Sequence, residues 1–572
     1  MHFRKCALRF SGVFLFFLIS LIFFAVKLIC IQCFRSAHLM ALAEKQHHYG
    51  FKLEPVRGTI FDRHLRPLAV NIPVESLYAN PRQMTQADKA QALESLPGIL
   101  SISKETLRER LSRRKFFVWL ARKIDNDDVQ RIKAMDIPGL GFLKESKRYY
   151  PNHHLASHVI GFAGTDNQGL EGLELQFDPY LKGREGWSQV IRDARQRELL
   201  IEKNFIPPTN GFHLVLTIDE TIQYITEQAL DRMFENSNAR AASVIVLDPR
   251  TGEVLALANR PTYSLDNFSE SAVANRTNRA IAYMYEPGSV FKIVAASAAL
   301  EEEIFSEKDK IFCENGSYRV ANHILHDYHS YGTLTFQEVI ENSSNIGTTK
   351  IAQKMGAETF YKYADRFRFG KKTGIDLAGE VSGVLKPPSQ WSKTSIGALP
   401  IGHEVTVTPL QLVCAIASIA NDGIYMKPYM VKYITDEQNE VIKVQQPQAL
   451  GRVISHDTAL RIKEILTGVV DRGTGRRAQI KGVRIAGKTG TAQKVINGVY
   501  SDSKFYASFI GFAPTDDPRI AMVVVFDEPH PNHFGGTIAA PVFKEVAEDV
   551  LKYQESWEYE NNEHEDIIKR LN

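Results

Sequence analysis

Glu286-Pro287-Gly288-Ser289-Val290-Phe291-Lys292 is the stretch on which the reading of this 572-residue chain turns. Pro-Gly marks a turn, and Val290 to Leu300 is an apolar, alanine-rich run that reads as a buried helix. Ser289 therefore falls at the first turn of that helix. Residues three apart share a helical face, so the Lys292 amine comes within reach of the Ser289 hydroxyl. A helix N-terminus supplies free N–H groups and partial positive charge, which suit a developing oxyanion. The pattern predicts an activated serine nucleophile. A bare Ser-x-x-Lys is common in long chains, and a plain capping serine is the competing reading.

Two further motifs favour the nucleophile. Ser343-Ser344-Asn345 follows a helix-like run, Thr335 to Asn342. Lys488-Thr489-Gly490-Thr491 follows Val483 to Gly487, a short strand-like run ending in glycine. Lys372-Thr373-Gly374 spells the same tripeptide, but its flanks, Gly370-Lys371 and Ile375-Asp376, predict a loop with no catalytic part. His47-His48, His153-His154 and His530 with His533 lack a matching carboxylate or cysteine set. They read as surface or structural histidines, and no metal or other cofactor is expected.

Composition is that of a globular protein, 44% hydrophobic and 24% charged, and the length predicts two or more domains. The net charge of +3, with no basic patch interleaved with aromatics, argues against nucleic acid. Phe10 to Val26 is uncharged, and with Lys27 snorkelling the apolar stretch continues to Phe34, long enough to span a bilayer. No polar face exists there, which disfavours an interfacial helix. Arg4, Lys5 and Arg9 place the N-terminus in the cytoplasm. A cleaved signal peptide is the alternative; Ala41-Leu42-Ala43 has the cleavage pattern but lies well past the apolar run. The five cysteines form no disulfide framework. Cys6, Cys30 and Cys33 lie in or beside the anchor, and Cys313 and Cys414 read as unbridged core residues.

Between these landmarks the chain alternates in character. Residues 54–76 read as turn and strand, Gln83 to Asp136 as helices, and 148–186 as short strands rich in Gly, His and Tyr. Asn204 to Gly211 is a linker candidate. A strand at Phe212 to Ile218, an Asp219-capped helix from Glu220 and a hairpin about Asp248–Gly252 follow. Ser289 to Ala364 reads as mostly helical, and strands return at Phe505 to Gly511 and Arg519 to Phe526. Strands, helices and then strands imply an α+β domain whose sheet joins both ends of the segment.

The three motifs, in this order, resemble those of the penicillin-binding proteins. The likeness runs from the anchor to about residue 552. Arg57-Gly58-Thr59-Ile60-Phe61-Asp62-Arg63, Arg148-Tyr149-Tyr150-Pro151, His158-Val159-Ile160-Gly161-Phe162, Gly169-Leu170-Glu171-Gly172-Leu173-Glu174 and Leu181-Lys182-Gly183 resemble signatures of the class B N-terminal module. Ala507 to Pro514 is similar to the family too. Phe534-Gly535-Gly536 and Ala540-Pro541-Val542-Phe543 look most like the division-specific, septal subgroup.

This resemblance implies an α+β transpeptidase domain, an antiparallel sheet with helices on both faces, over 211–552. It implies a cytoplasmic tail at 1–9, an anchor at 10–34, a mixed N-terminal pedestal at 35–210 and an acidic tail at 553–572. The implied activity is a peptidoglycan D,D-transpeptidase that crosslinks stem peptides during septal wall synthesis and is acylated by β-lactams. Ser289 would be the nucleophile, Lys292 its base, Ser343 a proton relay and Asn345 an amide clamp. Lys488, Thr489, Gly490 and Thr491 would hold the substrate, Gly490 by letting its backbone approach the strand. Ser289 and Thr491 N–H would form the oxyanion hole, and His403 would carry no catalytic role. The implied setting is the inner membrane, single-pass, with the catalytic body outside. Implied partners are D-Ala-D-Ala stem peptides, an amine acceptor, a membrane glycosyltransferase and other division proteins. A D,D-carboxypeptidase or β-lactamase-type hydrolase, or a scaffold or β-lactam sensor, stand as alternatives.

Overall fold

Phenylalanine, leucine and isoleucine dominate Gly12–Cys33, and a helix is the simplest way to pair every backbone group in such a run. Helix α1 (His2–Ile29) and a π-helical turn, Cys30–Phe34, carry it, long and apolar enough to cross a membrane. The structure, a computed structural model, describes residues 2–36, 48–192, 198–199 and 205–571. Ala41-Leu42-Ala43, His47 and Asn204 lie outside these. The chain forms two compact units, Met1–Val56 with Gly183–Asn210, and Arg57–Lys182 with Gly211–Asn572. Besides α1, the first holds a small antiparallel sheet in which Gly186–Arg192 pairs with His48–Leu53, Glu198–Leu199 and Phe205–Ile206.

In the second unit, α2 (Glu220–Ser237) is capped by Asp219, whose carboxylate accepts Thr221 N–H and Ile222 N–H. The hairpin read from the sequence is present as β1 (Ala241–Leu247) and β2 (Val254–Arg260). After α3 (Lys292–Glu301) come α4 (Asn345–Met355), α5 (Pro409–Ala420) and α6 (His456–Asp471). Strands β3 (Ala486–Ile496), β4 (Val499–Ala513) and β5 (Ile520–Asp527) precede α7 (Gly535–Leu571). The sheet runs β2-β1-β5-β4-β3, every pair antiparallel. The central strands β1 and β5 are buried along their whole length and almost wholly apolar, as burial from both sides requires. Val244, Val246, Met522 and Val524 enter the core under α2 and α7. Ile245, Leu247, Val523 and Val525 enter the core around α3 and α5.

Two expectations change. Residues 310–335 are not helical: Lys310–Phe312 pairs with Thr333–Thr335, and Ser317–Val320 pairs with His323–His326. Asn315 (φ 48°) and Gly316 (φ 92°) break the helical run there. Val118–Ile124, inside the stretch read as helices, is a strand paired with Pro67–Ala79, with Val118, Leu120 and Ile124 buried; the acidic C-terminal stretch continues α7 as far as Leu571.

The N-terminal signatures meet at one buried carboxylate. Arg57 Nε and Arg148 Nε each donate to Glu174 at 2.6 Å, and all three side chains are almost fully buried. Arg57 also donates to Asp178 Oδ1, to Asn167 O and to Glu174 O, and Arg148 donates to Gly58 O. A second sheet surrounds this knot. Its order is Val441–Val444, Val431–Thr435, His213–Leu216, Ile60–Phe61, Pro67–Ala79, Val118–Ile124, with Leu140–Tyr149 also on Pro67–Ala79. It thus takes strands from both sides of residue 211.

Glu174→Gln leaves the buried Arg148 guanidinium without a counter-ion and Arg57 with Asp178 alone. It should lower stability by about 3–5 kcal/mol, read from urea unfolding; an unmoved midpoint would show that this charge contributes nothing.

Candidate active site

The chain enters the site through a 3₁₀ turn, Gly288–Phe291, that runs directly into α3. Ser289 is on that turn, half-buried, and lines a cleft of about 690 Å³. Ser343, Asn345, Thr474, Thr489 and Thr491 line the same cleft. The three motifs, about 200 residues apart at their extremes, therefore converge.

The two lysines lie behind the cleft wall rather than in it. Lys292 and Lys488 are both 0% exposed. Lys292 Nζ donates to Ser343 O at 2.6 Å, Ser343 Oγ at 3.1 Å and Asn345 Oδ1 at 2.8 Å. Lys488 Nζ donates to the same Ser343 Oγ at 2.9 Å and to Thr489 O at 3.2 Å. None of these three hydrogen bonds of Lys292 goes to Ser289. Both lone pairs of Ser343 Oγ are taken by amines, which leaves its O–H free to donate elsewhere. Ser343 has φ 57°, a left-handed conformation unfavourable for a serine. That conformation lets carbonyl and hydroxyl of one residue face Lys292 together.

Burial is the largest influence on both amines. It pulls Lys292 down to about 7, against a smaller upward pull from Asp327. Lys488 is pushed well below the usual lysine range by burial and then by the Lys292 cation. Burial penalises the charged form, and two close cations penalise each other.

Asp327 had no sequence signal. It lies in the loop after His323–His326, where Oδ1 accepts Asn345 N–H at 2.5 Å and Ile346 N–H at 3.0 Å. Oδ2 accepts the Ser344 hydroxyl at 2.7 Å. A carboxylate at the start of α4 suits the helix end and fixes the motif beside Lys292. An acidic residue in a short hairpin is indistinguishable by pattern from an ordinary turn residue.

Gly490 is required for a reason other than substrate approach. A Cβ there would meet Ser508 Oγ at 2.3 Å, Val290 Cγ1 at 2.9 Å and Pro287 O at 3.1 Å. It would strike the turn that carries Ser289. Gly535, at the start of α7, comes equally close: a Cβ would lie 2.3 Å from Gly490 O. Gly535 N–H donates to Thr491 Oγ1. Phe534 packs edge-on against Tyr328, with ring centroids 5.4 Å apart, at the cleft rim.

Other candidates lie elsewhere. Thr373 is buried, its N–H and hydroxyl both held by Glu380 at 2.6 Å, so Lys372-Thr373-Gly374 is a structural loop. His403 pairs with Glu286 at 3.1 Å. Cys313 and Cys414 are buried and unpaired. Among the described residues no three His, Cys, Asp or Glu side chains converge as metal ligands would.

Comparison with known proteins agrees with this geometry. The penicillin binding protein transpeptidase domain family matches residues 242–548, and the penicillin-binding protein dimerisation domain family matches 52–216. The chain belongs to the class B penicillin-binding proteins. This penicillin-binding protein is 35% identical to stage V sporulation protein D of Bacillus subtilis over 553 residues, 95% of its own length and 85% of the relative's. It is 33% identical to peptidoglycan D,D-transpeptidase FtsI of Escherichia coli, covering 87% and 83% of the two chains. A crystal structure of penicillin binding protein 3 from Mycobacterium tuberculosis with aztreonam superposes at a TM-score of 0.70. That match is 28% identical and covers 88% of this chain and 97% of the other. The chain is a peptidoglycan D,D-transpeptidase of the penicillin-binding type.

Asp327→Asn removes the anion that holds the Lys292 pKa up. Titration of the labelled lysine by NMR should then find Lys292 deprotonating below about 7; an upward move would contradict this electrostatic account.

Proposed function

We propose that Ser289 is the nucleophile of the crosslinking reaction and that the enzyme builds the division septum. What supports the first part is a single observation: Ser343 Oγ lies within 3.1 Å of two buried amines, in a cleft that also contains the Ser289 side chain. A serine hydroxyl needs a base, and a lysine held near 7 by burial is neutral about half the time at neutral pH.

Ser289 Oγ bonds to the carbonyl carbon of the penultimate D-alanine, and the C–N bond to the terminal D-alanine breaks. Neutral Lys292 takes the serine proton and hands one on to Ser343 Oγ as the Ser343 O–H passes its own proton to the departing nitrogen. An amine from a second stem peptide then bonds to the acyl carbon. The Ser289 C–O bond breaks, and the amine's proton returns to Ser289 Oγ. Thr489 and Thr491 offer hydroxyls to the donor's carboxylate, with Lys488 behind them. Backbone N–H groups of Ser289 and Thr491 stabilise the oxyanion; one such donor is worth about 3 kcal/mol.

β-Lactams acylate the same serine in this reading, and the likeness to a structure solved with aztreonam supports it. The septal role rests on Phe534-Gly535-Gly536 and Ala540–Phe543, which resemble the division-specific subgroup. Arg4, Lys5 and Arg9, ahead of the apolar span Gly12–Cys33, support a cytoplasmic N-terminus and a catalytic body outside the inner membrane. A membrane glycosyltransferase and other division proteins are the partners this role implies.

Full-length protein in detergent, treated with a fluorescent penicillin, should gain one adduct at Ser289 by mass spectrometry. Ser289→Ala should gain none; a persisting adduct would move the nucleophile elsewhere. Acylation should slow about tenfold per pH unit below 6 and level off above 8, because protonated Lys292 cannot accept the serine proton. A rate flat from pH 5 to 8 would remove Lys292 as the base. Depletion in cells should give filaments without septa; normal septation would end the division assignment.

A further inference from the structure

The cleft that holds Ser289 has a neighbour of the same size. A groove of about 690 Å³ runs between the Ser317–His326 hairpin and the β3–β4 hairpin. Asn345 lines both hollows. Its amide is pinned between them: Oδ1 accepts Lys292 Nζ, and Nδ2 donates to His326 O at 3.0 Å on the groove side.

The two hollows differ in charge. Arg476 and Arg477 line the cleft, whereas Glu404 and Asp502 line the groove, all four exposed to solvent. His323, His326 and His403 also line the groove. Glu286, three residues before Ser289, secures the groove wall. Its Oε1 accepts Glu404 N–H at 3.0 Å, and its Oε2 pairs with His403 Nδ1. Acidic groove and nucleophile turn are thus coupled through one short segment.

Crosslinking consumes two substrates of opposite sign. The donor stem ends in a carboxylate, and the acceptor arrives as an amine that is cationic at neutral pH. Complementary fields sort such partners and raise their local concentration. A groove of this volume is within the range that holds a short peptide.

We propose that this groove is the acceptor subsite. It binds the primary ammonium of the second stem peptide, with Glu404 and Asp502 as specificity-determining groups and Asn345 at the passage to acyl-Ser289. The assignment rests on the Ser289 acyl-enzyme proposed above. Once at the junction, the ammonium releases one proton to solvent, and the neutral amine attacks as already written, its second proton going to Ser289 Oγ. The donor keeps the cationic side of the nucleophile.

The test uses full-length enzyme, a D-alanyl thioester as donor and Nα-acetyl-lysine amide as the amine probe. Amide product is measured against free acid over a range of amine concentrations. The Glu404→Gln, Asp502→Asn double variant should need about five times more amine for half-maximal aminolysis, the scale of two solvated ion pairs. Its half-saturating thioester concentration should stay near that of the parent enzyme. Arg477→Gln should do the reverse, moving the thioester value and not the amine value. An unchanged amine dependence in the double variant overturns the subsite, as does a parallel shift for both substrates. Failure of the parent enzyme to acylate at Ser289 would instead refute the underlying reading.

Discussion

Two ammonium groups out of reach of water cannot both keep their charge at small energetic expense, and the site is arranged around that constraint. Lys292 and Lys488 both donate to the same Ser343 hydroxyl. In a low-dielectric interior their repulsion is large, so at least one is held neutral over part of the working pH range. Removing solvent is what lowers the Lys292 pKa, and that is what the base role proposed for it requires. Much nearby detail serves that arrangement. The left-handed Ser343 turns two oxygens toward one amine, and Asp327 holds the start of α4 so that Asn345 can supply a third.

The walls are held by backbone as much as by side chains. β3 presses against the Ser289 turn at Gly490, and α7 presses against β3 at Gly535. At Gly535 the neighbours are main-chain oxygens and at Gly490 they are Ser508 Oγ, Val290 Cγ1 and Pro287 O, so neither position has room for a side chain. Fixed walls suit a reaction whose rate depends on holding an acyl carbon against several donors at once.

Much of this was legible in the sequence, because the chemistry needs particular residue types at particular places. Ser289, Lys292, Ser343, Asn345 and the Lys488–Thr491 segment could be named beforehand, as could the β1–β2 hairpin and the Asp219 cap. What escaped was of another kind. The strands between Lys310 and Thr335 are three or four residues long, too short for a period to declare itself. Asp327 acts through a contact with a helix that begins 18 residues later, which no local pattern encodes. Gly490 could be read as special, but only coordinates say which neighbour forbids a side chain. Glu174, ranked by sequence as one letter of a signature, turns out to neutralise two arginines from distant segments.

The second sheet has a bearing on how the chain is made. Its central strand, His213–Leu216, has Ile60–Phe61 on one side and Val431–Thr435 on the other. A chain delivered from its N-terminus must therefore hold one edge of this sheet open while more than 200 further residues arrive. An unpaired edge is a template for wrong partners. Val215, buried in the finished sheet, sits on that edge. Contacts spanning such separations also form slowly. The early signatures are thus the first to be synthesised and among the last to be completed, so emerging chains stay vulnerable to misassembly until the strand near residue 431 has joined the sheet.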